Sequence, residues 1–246
     1  MINPNKAYTA LADLYESLME VDYDSWADYI IGQIKAYAPG VNGVDAGCGS
    51  GAFTRRFKGA GFNVCGCDIS EEMLEKAMVL SRQDGYNITF YKQDIRSFKS
   101  MGKVDFITAL TDCLNYVDTE GMKKAFRRFA SSLVKGGALI FDVSSEYKIK
   151  NIIANNMFGD DAENYSYTWF NTPFEGGVTM DISLFVKQPC GLYEKKEESH
   201  TQYIHTEEEI ECSLTDAGFK VVSKQGHLGQ NIDKETERIN YVAVRI

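Results

Sequence analysis

The sequence predicts an α/β fold built on a mostly parallel sheet, and three observations indicate this class. A glycine-rich turn at residues 44–51 joins a short apolar run to a helical stretch. Strand-like and helical segments then alternate along residues 44–143, and Ser70 followed by Glu71 and Glu72 predicts the start of a helix over residues 71–83. An acidic residue stands at or just after the end of four of the apolar runs. Alternation of this kind is typical of a parallel sheet with right-handed crossover connections.

The glycine-rich turn carries Gly47, Gly49 and Gly51 directly after Val44-Asp45-Ala46. Glycine allows a sharp turn and leaves main-chain N–H groups accessible to a ligand. Residues 52–57 follow as the first turns of a helix, whose positive N-terminal end faces the same place. This order of strand, turn and helix predicts a nucleotide-type site. Taken alone, the glycine spacing also fits a tight connection that binds nothing.

Four aspartates follow the predicted strands. They are Asp45, Asp68, Asp94 and Asp112. Ligands of open α/β sheets bind at the carboxyl ends of parallel strands, so we expect these carboxylates to lie along one binding edge. A carboxylate at the position of Asp45, just before the glycines, repels phosphate and favours a cationic or hydroxyl-rich ligand.

Two helices are predicted before the glycine turn, within residues 7–38. Apolar residues recur there at helical spacing, and Pro39-Gly40 ends the second helix. Tyr8 and Tyr15 lie two helical turns apart, so both can face the same way. We expect residues 1–38 to form a helical cap over the binding edge and to become ordered when the ligand binds. Core packing is the alternative role of the aromatic residues in this cap.

The pattern changes after residue 143. Residues 145–157 predict a helix, and three strand-like segments follow at residues 165–169, 178–187 and 192–204. Consecutive strands with short turns form an antiparallel sheet. We expect this inserted segment, residues 145–204, to form a lid above the carboxyl edge of the main sheet.

The last part of the chain is predicted to return to the main sheet. Thr206 caps a helix over residues 207–217, and Gly218 ends it. Strands at residues 219–222 and 239–246 then complete the sheet. The sequence therefore divides into a core formed by residues 1–144 and 205–246, and the lid formed by residues 145–204.

Composition limits the function classes. Asp and Glu outnumber Lys and Arg by 35 to 26, and a net charge of -9 works against binding to nucleic acid or an anionic membrane. We therefore expect a small-molecule substrate. The first residues lack a signal-peptide pattern and no apolar run reaches the ~20 residues of a membrane helix, which favours a cytoplasmic protein. The 6 cysteines and 3 histidines lack metal-ligand spacing, so no metal site is predicted.

Residues 44–143 resemble the core of the class I S-adenosylmethionine-dependent methyltransferases, of the small-molecule, glycine N-methyltransferase-like type. Val44-Asp45-Ala46-Gly47-Cys48-Gly49-Ser50-Gly51 resembles the glycine motif of that family. Gly66-Cys67-Asp68-Ile69-Ser70 is similar to its ribose-binding segment, and Gln93-Asp94-Ile95 to its adenine-contacting segment. Residues 111–116 stand where the family has its motif after the fourth strand.

The resemblance implies a Rossmann-like fold whose seven-stranded, mostly parallel sheet has an antiparallel terminal strand. It also implies S-adenosylmethionine as the methyl donor and S-adenosylhomocysteine as the product. Asp68 would accept hydrogen bonds from the ribose hydroxyls, and Asp94 from the adenine amino group. The cofactor-binding residues that the resemblance implies are Asp45, Gly47, Cys48, Gly49, Asp68, Ile69, Met73, Gln93, Asp94, Ile95, Leu110 and Asp112. Among them, the main-chain carbonyl of Leu110 would receive the methionine ammonium.

The methyl acceptor stays open, including whether a nitrogen, an oxygen or a carbon is methylated, although a nitrogen or oxygen nucleophile of a small molecule is favoured. The candidates for the acceptor pocket are Tyr8, Tyr15, Asn115 and Tyr116, with Trp169, His200 and Tyr203 on the opposite wall. Two other classes remain as alternatives, an NAD(P)-dependent Rossmann oxidoreductase and a noncatalytic S-adenosylmethionine-binding protein. The first alternative uses the same glycine turn and Asp68 but leaves Asp45 and Asp94 without a role. Either a monomer or a homodimer is compatible with the sequence.

Overall fold

A computed structural model describes residues 21–246, which form two sheets and five α-helices. The helices are α1 (Tyr23–Tyr37), α2 (Ala52–Gly59), α3 (Glu71–Gln83), α4 (Thr119–Ser132) and α5 (Glu207–Asp216). The strands of the first sheet are β1 (Asn42–Ala46), β2 (Asn63–Asp68), β3 (Phe90–Lys92), β4 (Val104–Ala109), β5 (Leu133–Ser144), β10 (Phe219–Gly226) and β11 (Arg238–Arg245). Those of the second are β6 (Met157–Asp161), β7 (Tyr165–Phe174), β8 (Gly177–Lys187) and β9 (Tyr193–Tyr203).

The main sheet has seven strands in the order β10-β11-β5-β4-β1-β2-β3. Strands β1 to β5 pair in parallel, whereas β11 is antiparallel to both of its neighbours, β5 and β10. The chain order reverses between β1 and β4, so the loops that leave these two strands open a crevice at the carboxyl edge. The predicted α/β fold with a mostly parallel sheet is confirmed.

Alternate residues of the central strands pack into two separate hydrophobic cores, one on each face of the sheet. Both faces are therefore apolar, which explains the nearly continuous apolar runs in the sequence. Ile107 and Ala109 of β4 pack with α4 and α5, while Phe106 faces α1 and α2 on the other side. Gly43 in β1 is required here because a Cβ at this position would lie 2.1 Å from the Phe106 ring. The sheet is therefore covered by helices on both faces.

A side-chain cap and a proline set the two ends of helix α1. The side chain of Asp22 accepts a hydrogen bond from the Ser25 N–H, which caps the first turn. Ala38 is extended because it precedes Pro39, and the helix stops at Tyr37. Trp26, at 2% exposure, lies on the face that packs against α2 and the sheet. Tyr8 and Tyr15 lie outside the described residues.

The second sheet has four antiparallel strands in the order β6-β7-β8-β9. The predicted helix over residues 145–157 is shorter than expected, because three residues separate a π-helix at Lys148–Ile153 from β6, which begins at Met157. Strand β6 was not predicted, since Met157, Gly159 and the two aspartates that follow carry no apolar alternation. Ile149 and Ile153 of the π-helix pack against Val178 and Met180 of β8, which joins this sheet to the chain leaving β5.

Helices α3 and α5 confirm the predictions made from their caps. Ser70 caps α3 by accepting from the Met73 N–H, and Thr206 and Glu209 form a reciprocal capping box on α5. Gly218, with φ of +86°, ends the last turn of α5 in the left-handed conformation that glycine favours. Within residues 21–246, no helix combines the length and apolar character that crossing a membrane requires.

Candidate active site

A cavity of about 380 Å³ lies at the carboxyl edge of the main sheet, between the glycine turn and strand β9 of the second sheet. Its volume is within the range of small-molecule sites. The predicted site residues that line it are Gly47, Cys48, Gly49, Asp68, Ile69, Met73, Gln93, Asp94, Ile95, Leu110 and Tyr116. The structure therefore brings most of the candidates together. Asp45, Asp112 and Asn115 lie outside the lining.

The glycine turn closes on itself through its own N–H groups. The N–H groups of Gly47 and Cys48 both donate to the Cys67 carbonyl, at 2.7 and 3.0 Å. Gly47 has φ of +71°, and a Cβ there would lie 2.2 Å from the Cys113 sulfur, so only glycine fits. A turn whose N–H groups are already engaged is poorly suited to hold a phosphate, which argues against a dinucleotide.

Asp68 is the acid that links the turn to the cavity. One carboxylate oxygen accepts from the Gly49 N–H at 2.8 Å and the other from the Ser70 N–H at 2.9 Å. Burial raises the pKa of Asp68, and these backbone hydrogen bonds partly offset the effect. Backbone hydrogen bonds from Gly49, Ile69 and Ser70 leave this acceptor-only group capacity for a further donor such as a hydroxyl.

Asp45 occupies the space beneath the turn and is 2% exposed. Its two oxygens accept from the hydroxyls of Thr54, at 2.6 Å, and Thr108, at 2.8 Å. Burial raises the pKa of Asp45 to about 6, although the threonine hydrogen bonds act in the opposite direction. Asp45 therefore braces the strand β1, the start of α2 and strand β4 against one another. The two threonines were not singled out from the sequence.

Asp94 and Gln93 form the far end of the cavity, beside β3. Asp94 accepts from both the backbone and the guanidinium of Arg96, with the shortest contact at 2.5 Å. Burial opposes ionisation of Asp94, but Arg96 outweighs it and holds the pKa of the carboxyl below its usual value. Gln93 exchanges two hydrogen bonds with the backbone of Lys99, so its amide is fixed.

Asp112 takes part in a buried ionic cluster next to the cavity rather than in its wall. Thr111 and Asp112 both have positive φ, at 55° and 50°, and their N–H groups donate to the Asp142 carboxylate. Arg238 of β11 pairs with Asp112 and Asp142. Burial lowers the pKa of Arg238, but the two carboxylates outweigh it and raise the pKa overall.

This cluster fixes the turn after β4. Two of its members, Asp142 and Arg238, were not among the site residues predicted from the sequence. Asp142 ends a predicted strand just as the four chosen aspartates do, so the same rule would have found it. Arg238 gives no local signal, because its partners lie 126 and 96 positions away along the chain. Its guanidinium also stacks 4.9 Å from the centre of the Trp26 ring.

Asn115 and Tyr116 have different positions although they are neighbours. The Asn115 amide donates to the carbonyls of Ser144 and Tyr203 and accepts from the Ser144 N–H. It therefore ties the turn after β4 to β5 and to β9. Tyr116 lines the cavity. Trp169 lies outside the lining and donates through Nε1 to Asn171 at 2.6 Å.

Two thiols, those of Cys48 and Cys113, also line the cavity. Burial raises the pKa of both well above the usual value, and the nearby Asp68 carboxylate adds to the shift. The thiols are therefore protonated at neutral pH and are poor nucleophiles. Their role in the cavity is to supply a neutral, polarisable surface beside the glycine turn.

Comparison with known proteins decides the family. The family described as "Methyltransferase domain" matches residues 44–137. A protein of Geobacillus sp. (strain WCH70) that is named as a methyltransferase is 32% identical over 243 residues, which covers 96% of this chain and 98% of the relative. The chain belongs to the class I S-adenosylmethionine-dependent methyltransferases.

Two further proteins are similar to this methyltransferase over most of its length. The crystal structure of an S-adenosylmethionine-dependent methyltransferase from Clostridium acetobutylicum ATCC 824 superposes with a TM-score of 0.89 at 31% identity, over 98% of this chain and 99% of that chain. A dTDP-4-amino-2,3,4,6-tetradeoxy-D-glucose N,N-dimethyltransferase from Saccharopolyspora spinosa is 23% identical over 216 residues, 85% of each chain. The cofactor of this methyltransferase is S-adenosylmethionine, and the cavity fits it: Asp68 offers acceptors, apolar side chains lie nearby, and the turn is closed to phosphate.

Proposed function

We propose that this methyltransferase transfers the methyl group of S-adenosylmethionine to a nitrogen or oxygen nucleophile of a small molecule, by in-line displacement. The observation that carries the proposal is the placement of the cavity. One wall is the glycine turn and Asp68, and the other includes Ser199, His200 and Thr201 of β9. Methyl transfer needs alignment of donor and acceptor and exclusion of water, and a cavity closed by a second sheet supplies both.

The cofactor would lie along the edge from Leu110 to Asp94. We assign the ribose hydroxyls to Asp68, whose oxygens retain acceptor capacity, and the adenine ring to the apolar surface of Ile69, Met73 and Ile95. The adenine amino group would meet Asp94, whose carboxylate already accepts from Arg96. Asp45, Asp112 and Asn115 would act from behind the cavity wall, by holding the turns that shape it.

The acceptor that the observations favour is a small, polar metabolite. The net charge of -9 disfavours a nucleic-acid acceptor, and the cavity is too small for a folded partner. The relative from Saccharopolyspora spinosa is named for an amino sugar, which supports a small acceptor with a reactive amine. Tyr8 and Tyr15 remain predicted parts of the acceptor pocket and lie outside the residues that the structure describes.

Calorimetric titration with S-adenosylmethionine, S-adenosylhomocysteine, NAD and NADP tests the cofactor assignment. We expect binding of the first two only. Transfer of a labelled methyl group is then measured with the dTDP-amino sugar named above, glycine and a pool of bacterial metabolites as acceptors. Binding of S-adenosylmethionine without transfer to any acceptor would instead support a noncatalytic binding protein.

A further inference from the structure

A buried histidine, His205, lies between the end of β9 and the residue that caps α5, and it is 3% exposed. Its Nε2 is 3.1 Å from the Leu114 carbonyl oxygen and 3.0 Å from the Val117 carbonyl oxygen. Carbonyl oxygens only accept hydrogen bonds, so Nε2 carries the proton and donates to both. One imidazole therefore joins the chain that leaves the second sheet to the turn after β4.

The turn that His205 contacts is a short 3₁₀-helix, Cys113–Tyr116. Backbone hydrogen bonds within the turn are donated by Asn115 and Val117, at 2.8 and 3.3 Å. A helix of about one turn is not stable in isolation, because ordering its residues costs more free energy than its few hydrogen bonds contribute. Contacts from other parts of the chain must therefore fix the turn.

The end of β9 supplies such contacts at two nearby positions. The Tyr203 carbonyl accepts from the Asn115 side chain at 2.9 Å, and two residues later His205 donates to the turn. The same turn presents Tyr116, followed by Val117, to the cavity. The position of the Tyr116 ring therefore depends in part on hydrogen bonds from the chain that leaves the second sheet.

The surroundings of His205 favour the neutral imidazole. Its Nδ1 is buried and has no hydrogen-bond partner among the described residues, so protonation would place an N–H there without an acceptor. Burial lowers the pKa of His205, although the two carbonyls and the carboxylates of Glu209 and Asp118 act in the opposite direction. A cavity of about 250 Å³ borders His205, and its other titratable lining residues are Glu146, Tyr147, Glu207, Asp233, Lys234 and Tyr241.

We propose that His205 is a positioning residue for methyl transfer, which fixes the turn that carries Tyr116 and so keeps the acceptor side of the cavity in shape. The inference rests on the function proposed above and adds a dependence on pH. The free imidazole takes up a proton more readily than the held one, so the turn loses this support as the pH falls below 6.5. The contacts that we assign to the cofactor at Asp68 do not involve His205.

The test compares His205→Leu, which removes the donor, with His205→Gln, whose amide can donate to the same carbonyls. Hydrogen exchange of the Asn115 and Val117 amides, corrected for the intrinsic rate, is measured from pH 5 to 8. At pH 8 we expect these amides to exchange about tenfold faster in His205→Leu and at nearly the wild-type rate in His205→Gln. The Gly49 and Ser70 amides are the internal reference and should keep their protection, because they donate to the distant Asp68.

The pH profile and the rate of methyl transfer distinguish positioning from a merely structural role. Protection of the turn should decrease in the wild-type protein as the pH falls from 7 to 5, and should not decrease in His205→Gln, whose amide does not titrate. Labelled-methyl transfer to a pool of bacterial metabolites should fall about tenfold in His205→Leu and recover in His205→Gln, with S-adenosylhomocysteine affinity unchanged by calorimetry. Glu208 is exposed on α5, so the control Glu208→Gln should change none of these quantities.

The outcomes separate the inference from the proposed function. Wild-type protection of the turn and wild-type transfer in His205→Leu would overturn the inference and leave the proposed function intact, as would the same loss of protection at acid pH in His205→Gln. Failure of the wild-type protein to transfer a methyl group would overturn both. If the variants do not fold, long-range ¹H–¹⁵N correlation of the His205 ring in the wild-type protein serves instead. We expect the Nε2–H tautomer at pH 8, and an Nδ1–H tautomer would contradict the proposal.

Discussion

The two sheets of this methyltransferase are stabilised in different ways. The main sheet is covered by helices on both faces, and its central strands are buried along nearly their whole length. Among the described residues, the second sheet has two small apolar clusters; Phe170 of β7 is 52% exposed, and Leu192, just before β9, is 72% exposed. We therefore expect the main sheet to fold on its own apolar contacts and the second sheet to depend on its attachment to the main sheet.

Besides the apolar packing of the π-helix on β8, polar contacts beside the cavity attach strand β9 to the turn after β4. Gln202 of β9 donates to Asp112 at 2.5 Å, and the Tyr203 carbonyl accepts from Asn115 at 2.9 Å. Polar contacts of this kind contribute about 1 kcal/mol each to stability, so they fix orientation more than they add stability. We therefore propose that cofactor affinity depends on the main sheet and that methylation of the acceptor requires the second sheet.

Removing the second sheet is expected to have the largest effect on activity. Replacing residues 157–203 by a short Gly-Ser connection should leave a cooperatively folding core that binds S-adenosylhomocysteine within about tenfold of the wild-type affinity but has no measurable turnover. Thermal unfolding, calorimetry and labelled-methyl transfer test this. Replacing only the exposed turn Pro189-Cys190-Gly191 by Gly-Ser-Gly is the matched control, and its turnover should be unchanged. An unfolded product of the larger replacement would mean that residues 145–204 complete the core.

The next effect concerns cofactor affinity within the main sheet. Asp68→Ala should weaken S-adenosylhomocysteine binding by about 2 kcal/mol or more, because the ribose loses a charged acceptor and the Gly49 N–H loses its partner. Asp94→Ala should cost less, about 1 kcal/mol, because that carboxylate is already engaged by Arg96. Calorimetry on both folded variants measures the difference. Equal losses of affinity in the two variants would contradict the assignment of the ribose to Asp68 and of the adenine to Asp94.

A further effect is a dependence of stability on pH that originates beneath the glycine turn. Because the pKa of Asp45 rises from 3.8 to about 6 on folding, the native state binds this proton more tightly than the unfolded chain. The stabilisation from protonation is complete below about pH 4 and is lost as the pH rises through about 6. It amounts to about 3 kcal/mol, since one pKa unit corresponds to about 1.4 kcal/mol.

Asp45→Asn removes the ionisation while keeping an oxygen near the threonine hydroxyls. We expect it to raise the free energy of unfolding by about 1–3 kcal/mol at pH 8 and to change it little at pH 4.5. Urea unfolding at the two pH values measures the effect, with the exposed Asp181→Asn as control. A gain of the same size at both pH values would exclude Asp45 as the titrating group.

The parts of the fold that were predictable have local causes. Helix α3 lies at Glu71–Gln83, as expected, because Ser70 and the acids after it form a complete start signal. The glycine turn and Asp68 were found for the same reason, since strand, turn and helix occur within a few residues. Strand β6 was not predicted because its residues lack the apolar alternation of a strand. It is a strand because it pairs with β7.

The candidate site shows the same division between local and distant causes. The sequence placed Asp112 at the correct edge, but its side chain turns to Arg238, Gln202 and Ser144, which are distant along the chain. The Asn115 amide likewise donates hydrogen bonds to the carbonyls of Ser144 and Tyr203. Spacing can locate a residue at a strand end, whereas the direction of its side chain depends on partners that only the folded chain brings near.

The ion pairs that join Arg238 to Asp112 and Asp142 affect the order in which the site can form while the chain is being synthesised. A nascent chain emerges from the ribosome with its N-terminal part first, so β1 to β4 and the glycine turn are available well before β11. Until β11 inserts between β5 and β10, Asp142 has no guanidinium beside it, and the strained pair Thr111 and Asp112 is held by one carboxylate alone. In the placement of the cofactor proposed above, the adenosine end of the site is thus encoded by residues synthesised early. The turn after β4, which we assign to the methionine end, waits for a strand synthesised more than a hundred residues later.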